Sequence, residues 1–137
     1  MRVVAISDQH GFLPDIPACD LLICAGDQCP DYPSGAKDRI GSGPQIHQQR
    51  DWFLNVWRPW RLHQPAEFCV VTWGNHDYCG TTFSPRQFVG RATLVVVDGS
   101  FGYGSLTVYL TPWSSQFKDW AFIRSEEEIA VTYRQIP

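Results

Sequence analysis

One pattern occurs three times and constrains the fold most: a short, nearly continuous apolar run followed at once by a small polar motif. Arg2 to Ser7 (RVVAIS) leads into Asp8-Gln9-His10-Gly11, Asp20 to Ala25 (DLLICA) into Gly26-Asp27, and Phe68 to Trp73 (FCVVTW) into Gly74-Asn75-His76-Asp77. Runs this short and this apolar suit strands buried on both faces, as in a parallel or mixed sheet covered by helices. Open α/β sheets gather their ligands at the C-terminal ends of such strands, where all three motifs fall. The pattern predicts an α/β fold with a polar site along one sheet edge.

The remaining segments fill in the order. Ile46, Phe53, Trp57 and Trp60 are spaced near helical repeats, which predicts a helix from about Gln45 to His63. Pro59 should kink or end it, because proline lacks the N–H and clashes with the preceding turn. Ser84-Pro85 reads as the cap and first residue of a short helix stopped by Gly90. Thr93 to Val97 and Leu106 to Leu110 read as strands joined through a glycine-rich turn region, Gly99 to Gly104. Ser125 and Glu128 form a capping box that opens a last helix towards Ile136. The Gly- and Pro-rich stretch between Asp27 and Pro44 is too long for a plain connector, so a substrate-facing loop is expected from Pro30 to Pro44.

Composition narrows the function. A chain of 137 residues without repeats or a linker is expected to be one domain, 1–137. Its net charge of −3 and lack of a basic cluster give no electrostatic footprint for nucleic acid. A small phosphorylated substrate would instead be drawn in by bound cations, which reverse the local sign of an acidic site. There is no apolar run of membrane-spanning length and no signal-peptide pattern, so no membrane partner is expected. Five cysteines, an odd number with no C-x-x-C pair, argue against a disulfide framework and for a reducing, cytoplasmic setting. Buried thiols are a simpler reading of Cys24 and Cys29 than a zinc site.

The three motifs supply metal-type donors. Asp8 and His10, two apart in extended chain, point the same way and can reach one ion. Asp27 has two carboxylate oxygens and can bridge two cations about 3.5–4 Å apart, as in two-metal phosphoryl-transfer sites. Asn75 offers a neutral amide oxygen, His76 is free to act as an acid, and Asp77 can orient that imidazole. Each motif alone also reads as an ordinary polar turn; the ordered set of three is what points to a site.

In this ordered set the chain, from Val3 onwards, resembles the calcineurin-like metallophosphoesterases. Thr111-Pro112-Trp113, followed by Asp119-Trp120-Ala121-Phe122, is similar to a segment of their metallophosphoesterase-domain-containing subfamily. The resemblance implies a pair of facing β-sheets flanked by helices, with the metal centre at strand ends. It places Asp8 and His10 on a first metal, Asp27 between two metals and Asn75 on the second. His76 becomes the proton donor to the leaving alkoxide, held by Asp77. The implied reaction is metal-dependent hydrolysis of phosphate esters, phosphodiesters by subfamily and nucleotide-derived ones among them, with a metal-activated hydroxide attacking phosphorus. Oxygen and imidazole ligation suits Mn²⁺, Fe or Zn²⁺.

The family completes its site with a later histidine and a Gly-His-x-His segment, and no histidine follows His76 in this chain. The expectation is therefore an N-terminal portion of the family fold, missing the C-terminal strands, with an exposed edge that invites a second copy. His47 and His63 read as solvated or helix-capping residues rather than substitute ligands. The competing reading is a catalytically weak or inactive truncated remnant that binds a metal or phosphate, or serves as an interaction module. A cysteine-based zinc or redox protein is a third.

Overall fold

The computed structural model describes residues 1–32, 43–116 and 119–136. The chain is mixed α/β, built on a five-stranded, mostly parallel sheet. Strands β1 (Val3–Ile6), β2 (Cys19–Ala25), β3 (Ala66–Thr72), β4 (Arg86–Phe88) and β5 (Thr93–Val96) lie in the order β1-β2-β3-β5-β4. All neighbours run parallel except β4, which pairs antiparallel with β5 at the edge. Strands β2, β3 and β5 are the interior of the sheet, and every residue of β5 is buried. Strand β1 is the opposite edge and only half-buried, with Val3 exposed, so its apolar run is not enclosed on both faces as expected.

Alternation along the central strands makes two cores, because neighbouring side chains point to opposite faces. On one face Leu22, Cys24, Val71 and Val95 pack with the helical segment through Phe53 and Trp57. On the other, Leu21, Val70, Leu94 and Val96 meet Phe101 and Leu110 of a hairpin formed by β6 (Gly99–Tyr103) and β7 (Leu106–Leu110). The sheet is thus covered by helix on one side and by hairpin on the other.

The predicted long helix is α1 (Gly43–Trp52), a π-turn (Phe53–Trp57) and α2 (Arg58–His63). Pro59 neither ends it nor stands at its irregular turn; it occupies the first turn of α2. The wider turn comes just before, where the Arg58 N–H reaches back to the Phe53 carbonyl, five residues earlier. That widening relieves the clash a proline ring makes with the carbonyl four residues back. His63 Nδ1 sits 2.7 Å from the Pro59 carbonyl oxygen, and His47 is exposed.

Two further expectations fail. The helix expected from Ser84-Pro85 to Gly90 is the strand β4 instead. So short a helix gains few backbone bonds, whereas extended chain pairs Arg86, Gln87 and Phe88 with the open edge of β5. The glycine-rich stretch expected as a turn is mostly β6, whose Phe101 reaches the core. The turn itself is only Gly104-Ser105, with Gly104 at φ +59°, as a two-residue hairpin loop requires.

The last segments are a short parallel pair, β8 (Ser114–Ser115) with β9 (Ile123–Arg124), and α3 (Glu126–Tyr133). Both halves of the expected capping box form: Ser125 Oγ accepts the Glu128 N–H, and the Glu128 carboxylate accepts the Ser125 N–H at 2.9 Å. All five cysteines are free and buried. Among the described residues no helix is long and apolar enough to cross a membrane. Most of the loop expected to face a substrate, residues 33–42, lies outside the described residues.

Candidate metal centre

Hydrogen bonding carries the strand pairing past the ends of β1 and β2. Asp8 N–H donates to the Gly26 carbonyl at 3.1 Å, His10 N–H to that of Asp27 at 2.8 Å, and Gly11 N–H to that of Gln28 at 3.0 Å. The third loop is tied in by carboxylates. Asp27 Oδ1 accepts the His76 backbone N–H at 2.8 Å. Asp77, fully buried, accepts from Cys29 N–H at 2.8 Å, Gly74 N–H at 2.9 Å and Gln28 N–H at 3.2 Å. Burial pushes its carboxyl pKa up to about 6, against the pull of the N–H groups of Cys29 and Gly74.

These bonds bring the predicted donors together. One donor atom each from Asp8, His10 and Asp27 lies within 4.8 Å of the other two. Asp8 and His10 are exposed and Asp27 is buried. Two carboxylates and an imidazole form a donor set suited to a divalent ion of hard to borderline character. All three residues hold left-handed backbone, with φ of 53°, 44° and 54°. For residues other than glycine this conformation costs of order 1–3 kcal/mol and gathers at functional sites. Asn75 stands half-buried at the same edge, its carbonyl accepting the Ala121 N–H at 3.0 Å.

The partner of His76 is not the expected one. Asp77 directs its carboxylate to backbone, while His76 Nδ1 lies 2.8 Å from Asp31 Oδ1. A carboxylate only accepts, so Nδ1 carries the proton in this contact. Asp31 also approaches His10 Nδ1, at 3.5 Å, and the two imidazoles meet edge-to-face with centroids 5.0 Å apart. Trp120 covers another side of His76, ring centroids 4.6 Å apart.

Sequence reasoning missed Asp31, Gln49 and Trp120 as parts of this site. Gln49 Nε2 holds the His76 carbonyl at 2.8 Å, and its Oε1 accepts the Cys79 N–H at 3.1 Å. A signal for it existed: Gln49 lies four residues before Phe53 and eight before Trp57, a polar residue on the apolar helical face. Asp31 was marked only by being an acid four residues after Asp27. No protein-family model matches the chain, and a comparison with curated proteins finds no match either.

Proposed function

We propose that the chain is a divalent-metal-dependent phosphoesterase acting on phosphate esters, phosphodiesters foremost, and that its sheet is a portion of the calcineurin-like phosphoesterase fold. The observation that carries this reading is the convergence of Asp8, His10 and Asp27 on one point at the C-terminal ends of parallel strands. Left-handed backbone at all three fits a site set before its ion arrives.

Asp8 and His10 hold a first ion in this reading. Asp27 would be shared with a second ion, since one bond from the His76 N–H leaves further lone pairs on its carboxylate. Asn75 offers its amide oxygen to the second. A bound divalent ion supplies charge to the phosphoryl oxygens and lowers the pKa of a water. His76 donates the proton that the leaving alkoxide needs, and Asp31, accepting from Nδ1, fixes the ring for that task. Asp77 ties the loop after β3 to the loop after β2.

The test is hydrolysis of bis(p-nitrophenyl) phosphate with added Mn²⁺, beside Asp27→Asn and a chelator control. Turnover that vanishes in both controls is the expected result. A folded chain that binds Mn²⁺ but turns over nothing points to the competing reading, a metal- or phosphate-binding module. A folded chain that binds no Mn²⁺ ends the phosphoesterase reading and leaves only the phosphate-binding or interaction form of the other.

A further inference from the structure

Asp31 provides a donor set distinct from the one just assigned. Its carboxylate lies 2.8 Å from His76 Nδ1 and 3.5 Å from His10 Nδ1. One donor atom from each of His10, Asp31 and His76 lies within 4.8 Å of the other two. Two ligands of a tetrahedral zinc ion, each at about 2.0–2.1 Å, stand about 3.3 Å apart, and the two observed spacings bracket that value.

Two of these donors are already held. The His76 backbone is fixed at its N–H by Asp27 and at its carbonyl by Gln49, with Trp120 against the ring. The His10 N–H is fixed by the Asp27 carbonyl. Asp31 is the most exposed of the three, so it is the arm with room to adjust. Partial exposure of all three side chains leaves an open side for a water as fourth ligand.

We propose that His10, Asp31 and His76 form a second divalent-cation position, selective for zinc over manganese, which competes with the Asp8–His10–Asp27 cluster for His10. The donor chemistry separates the two. The first cluster has two carboxylates and one imidazole; this one has two imidazoles and one carboxylate. Nitrogen-rich sites favour Zn²⁺, and affinities rise from Mn²⁺ to Zn²⁺. A neutral imidazole has one lone-pair nitrogen, so His10 ligates one ion at a time. Zinc on His76 Nδ1 takes the place of the proton now donated to Asp31, and the ring then carries its N–H at Nε2. Zinc inhibition of manganese-supported turnover follows only if the phosphoesterase reading holds; the binding itself does not depend on it.

The experiment is calorimetric titration of Zn²⁺ into the native chain, Asp31→Asn and Asp8→Asn. Asp31 belongs only to the second cluster and Asp8 only to the first. Both are exposed, and asparagine tolerates the left-handed backbone at position 8, so both variants are expected to keep the native circular dichroism. Since even outer partners of a metal ligand are worth 10–100-fold in affinity, Asp31→Asn should weaken zinc by at least about tenfold, and Asp8→Asn should change it little. The reverse order, equal losses or no zinc binding overturns the proposal. Adding Zn²⁺ to the Mn²⁺-loaded chain should raise the free-manganese paramagnetic resonance signal, and Mn²⁺ retained beside Zn²⁺ overturns the competition. Zinc bound with this dependence on Asp31, by a chain that takes no Mn²⁺, upholds the second position and removes the proposed function.

Discussion

Asp27 Oδ1 accepts the backbone N–H of His76 at 2.8 Å, so one carboxylate both belongs to the candidate metal cluster and locks the loop after β3 onto the loop after β2. The approach is close enough to dictate sequence. A Cβ on Gly74 would stand 2.2 Å from that oxygen and 2.5 Å from the Asp27 nitrogen. The glycine of the third motif is there to admit the aspartate of the second.

Gly74→Ala should therefore cost both stability and metal affinity. Overpacking against backbone typically costs about 1–3 kcal/mol, and displacing Asp27 should weaken Mn²⁺ by at least about tenfold, the lower bound for disturbing a ligand's support. Gly102→Ala is the control, since a Cβ there meets nothing within 4 Å. Urea denaturation and metal titration read the two effects. Equal behaviour of the two variants would show that Asp27 can relocate freely.

Asp77 carries the register of the site rather than its chemistry. Its carboxylate accepts N–H bonds from Gln28, Cys29 and Gly74 in a fully buried position. Asp77→Ala leaves these donors without their acceptor, and at 1–3 kcal/mol for each unsatisfied buried group the loss should be about 3 kcal/mol or more. Chemical denaturation measures it. A loss under about 1 kcal/mol would mean that water replaces the carboxylate.

The capping box makes a prediction far from the site. Ser125→Ala should destabilise the chain by about 1 kcal/mol, the usual value for a serine cap. Bonds from the backbone N–H and hydroxyl of Ser125 hold the Glu128 carboxyl below its ordinary pKa. A carboxylate with a depressed folded pKa contributes stability above its unfolded value of 4.5 and loses it as pH falls through the lower folded value. The stability gap between the native chain and Ser125→Ala should therefore narrow, without closing, as the solution is acidified below that range, because the Glu128 N–H bond to the Ser125 hydroxyl does not titrate. Curves that stay parallel would mean that the contact between the Ser125 hydroxyl and the Glu128 carboxylate contributes nothing.

Much of the frame was legible because it rests on local pattern. The apolar runs of β2 and β3, the periodicity through Phe53 and Trp57 and the Ser125–Glu128 spacing each specify structure within a few residues. Strand β4 was not legible. Ser84-Pro85 carries a local helix signal, and only the distant open edge of β5 outweighs it. Strand β6 was hidden by its glycines, although Phe101 and Tyr103 alternate as a strand requires. The site divides in the same way. The donors Asp8, His10 and Asp27 follow strands and announce themselves, whereas Asp31, Gln49 and Trp120 reach His76 from separate segments, and sequence spacing does not record that meeting.

If His76 is the acid and Asp31 its positioning partner, leaving-group dependence should expose both. A nitrophenolate leaves with little help, whereas an alkoxide needs its proton. General acid catalysis contributes typically 10²–10⁴-fold, so His76→Ala should lower kcat about 100-fold or more on an alkyl phosphodiester and much less on bis(p-nitrophenyl) phosphate. Asp31→Asn should show the same pattern at smaller amplitude, because the ring exchanges a charged acceptor at Nδ1 for a neutral amide oxygen but keeps its place through the backbone bond to Asp27. A residue with a merely structural role would depress both substrates equally. Equal losses on the two esters from His76→Ala would remove it as the acid, and equal losses from Asp31→Asn would leave the Asp31–His76 pair without a catalytic purpose.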